Sequence, residues 1–395
     1  MLNKRILDSE VQEYINSHLA GDVHKIAMGK SPFPGIEARE LAAQIAAKKK
    51  SVRKLPSIYA CKGIYYPALL SIEQCSSETT ALYKSGLATG DTLIDLTGGF
   101  GIDSLFFARK VVQVTHCEIN EELSGIAAHN ASMLQQNNML FIASDGLAHL
   151  STVKETFGTI YIDPARRSTA GKVFMLKDCT PSVVENLGPL LAKSQRVIIK
   201  TAPLLDITAG LKELKNVTEI HIVSVRNECK ELLWVLENNA PAAPKIVSVT
   251  LNDAVKEFSF YKGEELEEAV QLETTPSSGF LYEPDTALLK SGAFNLIASR
   301  YGLKKLHGQT QLYHADEVKP HFPGRIFKIK ELVSTGELKK SKQVKASVIS
   351  RNYPDKAEQL VKKYRIKPDD ELFLIFTQSS KDGYLIIGAE ILQHY

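Results

Sequence analysis

From Asp91 to about Glu237 the chain alternates short apolar runs with amphipathic stretches. Thr92–Leu96, Val112–Glu118, Leu140–Ala143, Thr159–Asp163 and Arg196–Lys200 are candidate strands, several of them continuous apolar runs, as expected of strands covered on both faces. Helical stretches between them predict a parallel, doubly wound α/β sheet. Val217–Val225 and Leu232–Glu237 are two further strands. Only Arg226–Glu231 separates them, too short for a crossover helix, so they are expected to pair antiparallel. Upstream, Glu37–Lys50 places Ala38, Leu41, Ala42, Ile45 and Ala46 on one helical face. Downstream, Asn238–Pro244 holds two prolines and no apolar period, which predicts a boundary. A short β segment over Lys245–Lys262, an acidic stretch over Gly263–Glu268 and a small α+β unit from Leu281 to about Phe322 follow. From Pro323 the pattern predicts strand, strand, helix, strand, strand. Its helix, Pro354–Arg365, has Ala357, Leu360, Val361 and Tyr364 in phase. The expected divisions are residues 1–81, 82–240, 245–322 and 323–395.

At 395 residues the chain exceeds one ordinary core, and its 44% hydrophobic and 24% charged content is that of a globular protein. A net charge of +3 singles out no partner. No apolar run is long enough to span a bilayer. The N-terminus is charged and interrupted, unlike a secretory signal. Five scattered cysteines form no C-x-x-C pair, which argues against a disulfide framework or a structural zinc site. The histidines show no metal-binding spacing, so no metal is expected. These features together predict a reduced, cytoplasmic protein.

The chemistry concentrates at strand ends. Thr92–Ser104 (TLIDLTGGFGIDS) is a strand ending at Asp95, a turn with Thr97, Gly98, Gly99 and Gly101, and the start of a helix. Glycines there let a ligand approach the backbone, and the helix N-terminus offers free N–H groups. The same turn nearly fits a dinucleotide fingerprint, or it can be a bare strand–helix turn. Glu118 ends the second strand, where an acid accepts the two hydroxyls of an adenosine ribose. Asp145, before Gly146, can either accept from an adenine amine or simply form an Asp-Gly turn. The fourth strand ends in Asp163-Pro164-Ala-Arg166-Arg167, with Asp163 directed at the cleft outside the strand ends and Pro164 stiffening the turn. Arg166 and Arg167 suit a phosphate contact or a surface ion pair.

In this order, Asp95, Gly99, Gly101, Glu118, Asp145 and Asp163-Pro164 resemble the motifs of class I S-adenosylmethionine-dependent methyltransferases over about Leu82–Glu237. The terminal strand pair without a crossover helix resembles the hairpin of that fold, which nicotinamide-binding domains lack. Thr97 stands where the family's first glycine usually is. Over nearly the whole chain, Ser71–Lys84 (SIEQCSSETTALYK), the DLTGGFGIDS turn, DPARR and Val225–Glu231 (VRNECKE) resemble a bacterial methyltransferase family with a ferredoxin-like and a C-terminal THUMP-like domain. Ser76-Ser77-Glu78 is similar to the Thr-Pro-Glu segment of trimethylguanosine-synthase-like enzymes, which implies a place for Ser76 over the methionine end of the cofactor. From the residues alone, the same segment is a capped amphipathic helix with Ser77 as N-cap.

The resemblance implies S-adenosylmethionine bound near Ser76, Asp95, Thr97, Gly98, Gly99, Gly101, Glu118 and Asp145, with Asp163, Pro164 and Arg166 at the reaction centre. THUMP domains bind RNA, so it also implies an RNA substrate. From Pro323 to Tyr395 there are 14 Lys and Arg against 9 Asp and Glu, with Lys339, Lys340, Lys342 and Lys345 clustered. Lys48–Lys54 is a second basic run, and either can be merely a solvated face. Asp163-Pro-Ala-Arg is similar to the Asp-Pro-Pro-aromatic signature of N-methylating enzymes but lacks the aromatic. Methylation at C5 of a pyrimidine needs a cysteine nucleophile, and none adjoins the fourth or fifth strand end. Nitrogen methylation of rRNA or tRNA is therefore the leading expectation. The alternatives are a protein or small-molecule methyltransferase, a non-catalytic protein holding cofactor and RNA, and an NAD oxidoreductase.

Overall fold

The computed structural model describes residues 2–166, 175–266, 268–269, 271–273, 275–341 and 343–395. The chain forms two compact units, Met1–Val217 with Trp234–Ala240, and Thr218–Leu233 with Pro241–Tyr395.

In the first unit, β1 (Thr92–Asp95), β2 (Gln113–Cys117), β3 (Met139–Ile142) and β4 (Phe157–Ile162) precede the two-residue pair β5 (Ala165–Arg166) and β6 (Cys179–Thr180), and β7 (Ser194–Thr201) follows. β1 pairs in parallel with β2 and β4, β2 with β3, and β4 with β7. Leu93, Ile94, Ile160, Ile162, Ile198 and Ile199 are fully buried, as two covering layers require. The edge strand β3 is the exception, with Leu140 47% exposed. β8 (Val217–Val225) and β9 (Glu228–Leu236) follow, joined by Arg226 and Asn227 alone, both at positive φ. So short a link permits only an antiparallel return, and positive φ at both positions matches the strands' twist. The strand begins at Glu228, before its apolar part, because hairpin pairing carries the polar residues 228–230 outside the core. In this unit the sheet order is β9-β7-β4-β1-β2-β3, β9 entering through Trp234–Leu236.

The N-terminal segment builds no separate core. The helix Ala38–Lys54 is capped by a reciprocal Glu37–Glu40 box. Its Leu41 and Ile45 pack with Ile58, Ile72, Phe106 and Ile126 in one cluster. Lys49, Lys50 and Arg53 of the basic run lie on the solvated face expected of it, whereas Lys48 does not. Lys48 is 6% exposed, Lys49 and Lys54 donate to backbone carbonyls, and Lys50 pairs with Glu73.

In the second unit, β10 (Lys245–Leu251) pairs in parallel with β8 and antiparallel with β11 (Val255–Tyr261), giving the order β11-β10-β8-β9. The segment after Asn238–Pro244 thus extends a sheet rather than opening a new fold. A second sheet comprises β12 (Phe280–Pro284), β13 (Lys304–His307), β14 (Thr310–Ala315), β15 (Gly324–Leu332), β16 (Ser347–Ser350), β17 (Leu372–Ser379) and β18 (Gly383–Gln393), in the order β13-β14-β12-β15-β18-β17-β16. Alternate residues of β17 feed its two faces: Phe373 and Ile375 one cluster, Leu374 and Phe376 another. The tail also holds a short helix, Thr335–Lys340, that apolar periodicity alone does not predict. Its signal is polar, a Ser334–Glu337 capping box with Lys339 and Lys340 in the last turn. No helix among the described residues is long and apolar enough to cross a membrane.

Trp234, the sole tryptophan, is fully buried and donates from Nε1 to Thr201 Oγ1 at 3.0 Å. A Cβ at Gly210 would lie 2.3 Å from its ring. Overpacking of a rigid ring costs about 1–3 kcal/mol, against a helix-propensity gain of about 1 kcal/mol. We expect Gly210→Ala to lower the denaturation midpoint, read by Trp234 fluorescence. An unchanged or raised midpoint would show that the ring yields.

Candidate active site

The first unit brings its chemistry to the carboxyl ends of β1, β2 and β4. Asp95 ends β1 only 1% exposed, and its carboxylate accepts from Ser104 Oγ at 2.5 Å and Thr97 N–H at 3.0 Å. Desolvation, reinforced by Asp103 and Asp163, outweighs these bonds and raises its pKa to about 7. Thr97, where the related motif has glycine, has a task of its own: its Oγ1 accepts the backbone N–H of Asp163 at 2.7 Å.

The turn is moulded over His116. A Cβ at Gly98 would fall 2.3 Å from the His116 ring, so no other residue fits that approach. Gly99 and Gly101 both take positive φ, +55° and +85°. Above Gly99 there is open space, with nothing nearer than Thr97 O at 3.9 Å. His116 is fully buried, and desolvation pushes its pKa down to about 4, so a neutral ring supports the turn. Glu118 accepts from Gly99 N–H at 2.9 Å and Asn120 N–H at 2.8 Å, which fixes its carboxylate beside the open face. Asp145 caps the helix Gly146–Thr152 through Ala148 N–H at 2.8 Å and is exposed. Its cap role matches the simple turn reading, and Gly146 must be glycine because a Cβ would meet Leu96 O at 2.3 Å.

A buried polar network that sequence reasoning missed lies beside the turn. Asp103 accepts from Ser76 Oγ at 2.9 Å and Tyr161 OH at 2.8 Å. The ammonium of Lys84, fully buried, is 3.1 Å from Asp103 Oδ1 and donates to Ser76 Oγ at 2.8 Å. Burial alone would raise Asp103, but Lys84, Lys200, Tyr161 and Ser76 hold it below the usual carboxylate range. Ser76 is therefore clamped to the helix after the glycine turn. Ser77 caps the helix Glu78–Ser85 through Thr80 N–H, separate from a preceding helix at Leu69–Gln74. Tyr161 is a core residue by burial and a network residue by its hydroxyl.

Asp163 follows β4 with its side chain 36% exposed and ion-paired with Lys200, at the end of β7. Lys200, like Lys84 and Asp103, was missed. Its signal was position, a cation at the carboxyl end of the neighbouring strand. Pro164 is buried, the backbone of Arg166 lies in β5, and the Arg166 side chain and Arg167 fall outside the described residues, as does Lys342. Three of the thiols are poor nucleophiles: burial raises Cys75 to about 11 and Cys117 to about 12, and Cys179 is fully buried. Among the described residues no cluster of metal ligands occurs. In the second unit a separate cleft of about 740 Å³ is lined by Arg325, Arg351, Asn352, Tyr353 and Lys356.

Comparison with known proteins gives a consistent picture. Residues 280–323 match a ferredoxin-like domain and residues 324–390 a THUMP domain-like family. A crystal structure of a protein from Porphyromonas gingivalis W83, assigned to the methyltransferases, superposes with a TM-score of 0.88 at 30% identity, covering 100% of both chains. An uncharacterized S-adenosylmethionine-dependent methyltransferase of Mycobacterium tuberculosis is 23% identical over 336 residues, 82% of this chain and 85% of its own. An uncharacterized RNA methyltransferase of Mycoplasma mobile is 29% identical over 170 residues, 39% of this chain and 46% of its own.

Breaking a buried ion pair by removing one partner costs about 3–5 kcal/mol, because the other charge stays behind. We expect Lys84→Met to lose stability on that scale and Lys84→Met/Asp103→Asn to recover most of it, measured by chemical denaturation. Equal losses in the single and double variants would show that the pair is not coupled.

Proposed function

The chain belongs to the S-adenosylmethionine-dependent methyltransferases that carry ferredoxin-like and THUMP-like domains, and from that premise we propose that it methylates RNA at a base nitrogen, with Asp163 beside the acceptor. The turn fits the cofactor: Gly98 and Gly101 let the backbone lie low over His116, and the face above Gly99 is open between Glu118 and the Ser76 segment. In this reading Gly98–Gly101 and Asp95 hold the methionine part together with Ser76 and Thr97. Glu118 accepts the ribose hydroxyls, and Asp145 adjoins the adenine.

S-adenosylmethionine supplies an electrophilic methyl group on a sulfonium. The protein's own work is then to position the acceptor and receive its proton. Asp163 is the group available for that. Unlike Asp95 it is accessible, and the Thr97 bond to its backbone fixes it against β1. That contrast between two carboxylates on adjacent strands is the observation that carries the reading. Pro164 stiffens the turn, and Arg166 follows on the same loop. The raised thiol pKa values favour nitrogen over C5, since the C5 route needs a thiolate.

The RNA assignment draws on the THUMP-like match, on the printed name of the Mycoplasma relative and on charge. Lys339, Lys340 and Lys345 are exposed, and Lys356 lines a cleft beside Tyr353 together with Arg325 and Arg351, which share the buried Glu283 carboxylate. In the N-terminal basic run Lys48 is buried, and Lys49, Lys50 and Arg53 are the exposed cations that a phosphate backbone can reach.

The test is transfer of labelled methyl to total RNA from cells lacking the protein, against RNA from wild-type cells. We expect label only in the deletion-strain RNA, and a loss of at least about a hundredfold with Asp163→Ala, the scale of a general base. No label in RNA despite measured cofactor binding would move the acceptor to a protein or metabolite. Full activity of Asp163→Ala would remove that residue from the acceptor site.

A further inference from the structure

The carboxyl ends of β1 and β4 and the helix Ile102–Phe107 gather three carboxylates and two ammonium groups. Asp103 has Lys84 at 3.1 Å, and Asp163 has Lys200. Asp95 has no cation within ion-pairing distance among the described residues. Only neutral donors reach it, the Ser104 hydroxyl, the Thr97 N–H and, at 3.5 Å, the Thr97 hydroxyl. The other groups around it add no charge near neutral pH. From β2 its register partner His116 is held down to about 4, and Cys117 is held up to about 12. From β4 its register partner Tyr161 spends its hydroxyl on Asp103. Among the described residues these three carboxylates are thus short of one positive charge, and the uncompensated one is 1% exposed.

A buried charge without a partner is among the costliest groups a fold can hold, and it is relieved by a proton or by a bound cation. S-adenosylmethionine carries one net positive charge and its thioether product carries none. We propose that Asp95 is the residue that makes this site select the cationic cofactor over its neutral product. The proposal rests on the placement of the cofactor over the Gly98–Gly101 turn. A ligand of net charge +1 completes the cluster, whereas a neutral ligand leaves it one charge short and is held less tightly.

The sign of the pH dependence follows. Without ligand, Asp95 titrates at about 7, mainly through desolvation, so it is largely protonated at pH 6. A nearby cation favours the carboxylate and expels that proton. Affinity for the cationic ligand then rises with pH, by at most about tenfold per unit below pH 7, and levels off above it. A neutral ligand draws no such gain.

The experiment is calorimetric titration of the full-length protein with S-adenosylmethionine and with S-adenosylhomocysteine from pH 6 to 8, in buffers of different ionisation enthalpy. Wild type and Asp95→Asn are compared, so that proton exchange by the ligands' own amines cancels. In wild type we expect proton release on binding the sulfonium and a preference for it that grows with pH. Asp95→Asn should abolish the difference in release and reduce the preference about tenfold at pH 8. Ser104→Ala, which removes a neutral donor and adds no charge, should move the pH midpoint upward. Equal preference and equal proton release in wild type and Asp95→Asn, or an unmoved midpoint in Ser104→Ala, would overturn the proposal. Failure of wild type to bind either ligand would overturn the cofactor placement and the proposal with it.

Discussion

Thr97 ties two neighbouring parallel strand ends together, and the geometry of the site follows from that tie. β1 and β4 run in register and stop at the same level, one at Asp95 and the other just before Asp163. Leu96 N–H continues the ladder to Tyr161 O at 3.0 Å, and the Thr97 hydroxyl then takes the Asp163 N–H. One side chain satisfies a backbone donor that would otherwise be left at the strand end, and it fixes the separation of the two carboxylates. The turn beyond it must descend over His116, which admits only glycine at 98, and pass Gly146, whose place against Leu96 O leaves no room for a Cβ. The glycines mark close backbone approaches on both sides, so the open surface lies above Gly99.

Two carboxylates on adjacent strands thereby acquire opposite characters. Asp95 is sealed among neutral donors and raised to about 7, while Asp163 is accessible and paired with Lys200. Asp103, between them in chemistry, is held ionised by Lys84 and fastens the Ser76 segment to the helix after the turn. A fully buried lysine is expensive unless paired and hydrogen-bonded, and here it is both. The network therefore sets the position of a loop that has little apolar surface of its own to hold it.

Strand runs, the glycine turn and the terminal hairpin were legible in the sequence because each has a local cause: continuous burial, close backbone approach, and a link too short for a helix. Asp95, Glu118 and Asp163 were legible because they end apolar runs. Lys84, Asp103 and Lys200 were not, because their partners lie 19 residues apart in the first pair and 37 in the last, and no local pattern reports a pairing across the fold. The same reason hid the burial of Lys48, whose ammonium lies over the Tyr59 and Tyr66 rings while sequence shows only a basic run. Proline-rich Asn238–Pro244 was legible as a boundary because of its turn chemistry, and the chain does pass from the first unit to the second at Ala240–Pro241, after which β10 pairs with β8. Turn chemistry tells where a strand stops and not which sheet the next one joins.

The proposed methyl transfer requires the cofactor to lie over Gly99 with Glu118 at its ribose. Titration of S-adenosylhomocysteine into wild type and Glu118→Ala, with circular dichroism to confirm that both fold alike, tests it. Loss of two charge-assisted acceptor sites, each bond worth about 1.5–3 kcal/mol, predicts affinity at least about tenfold weaker in the variant. Equal affinity in two equally folded proteins would place the cofactor elsewhere and contradict the account.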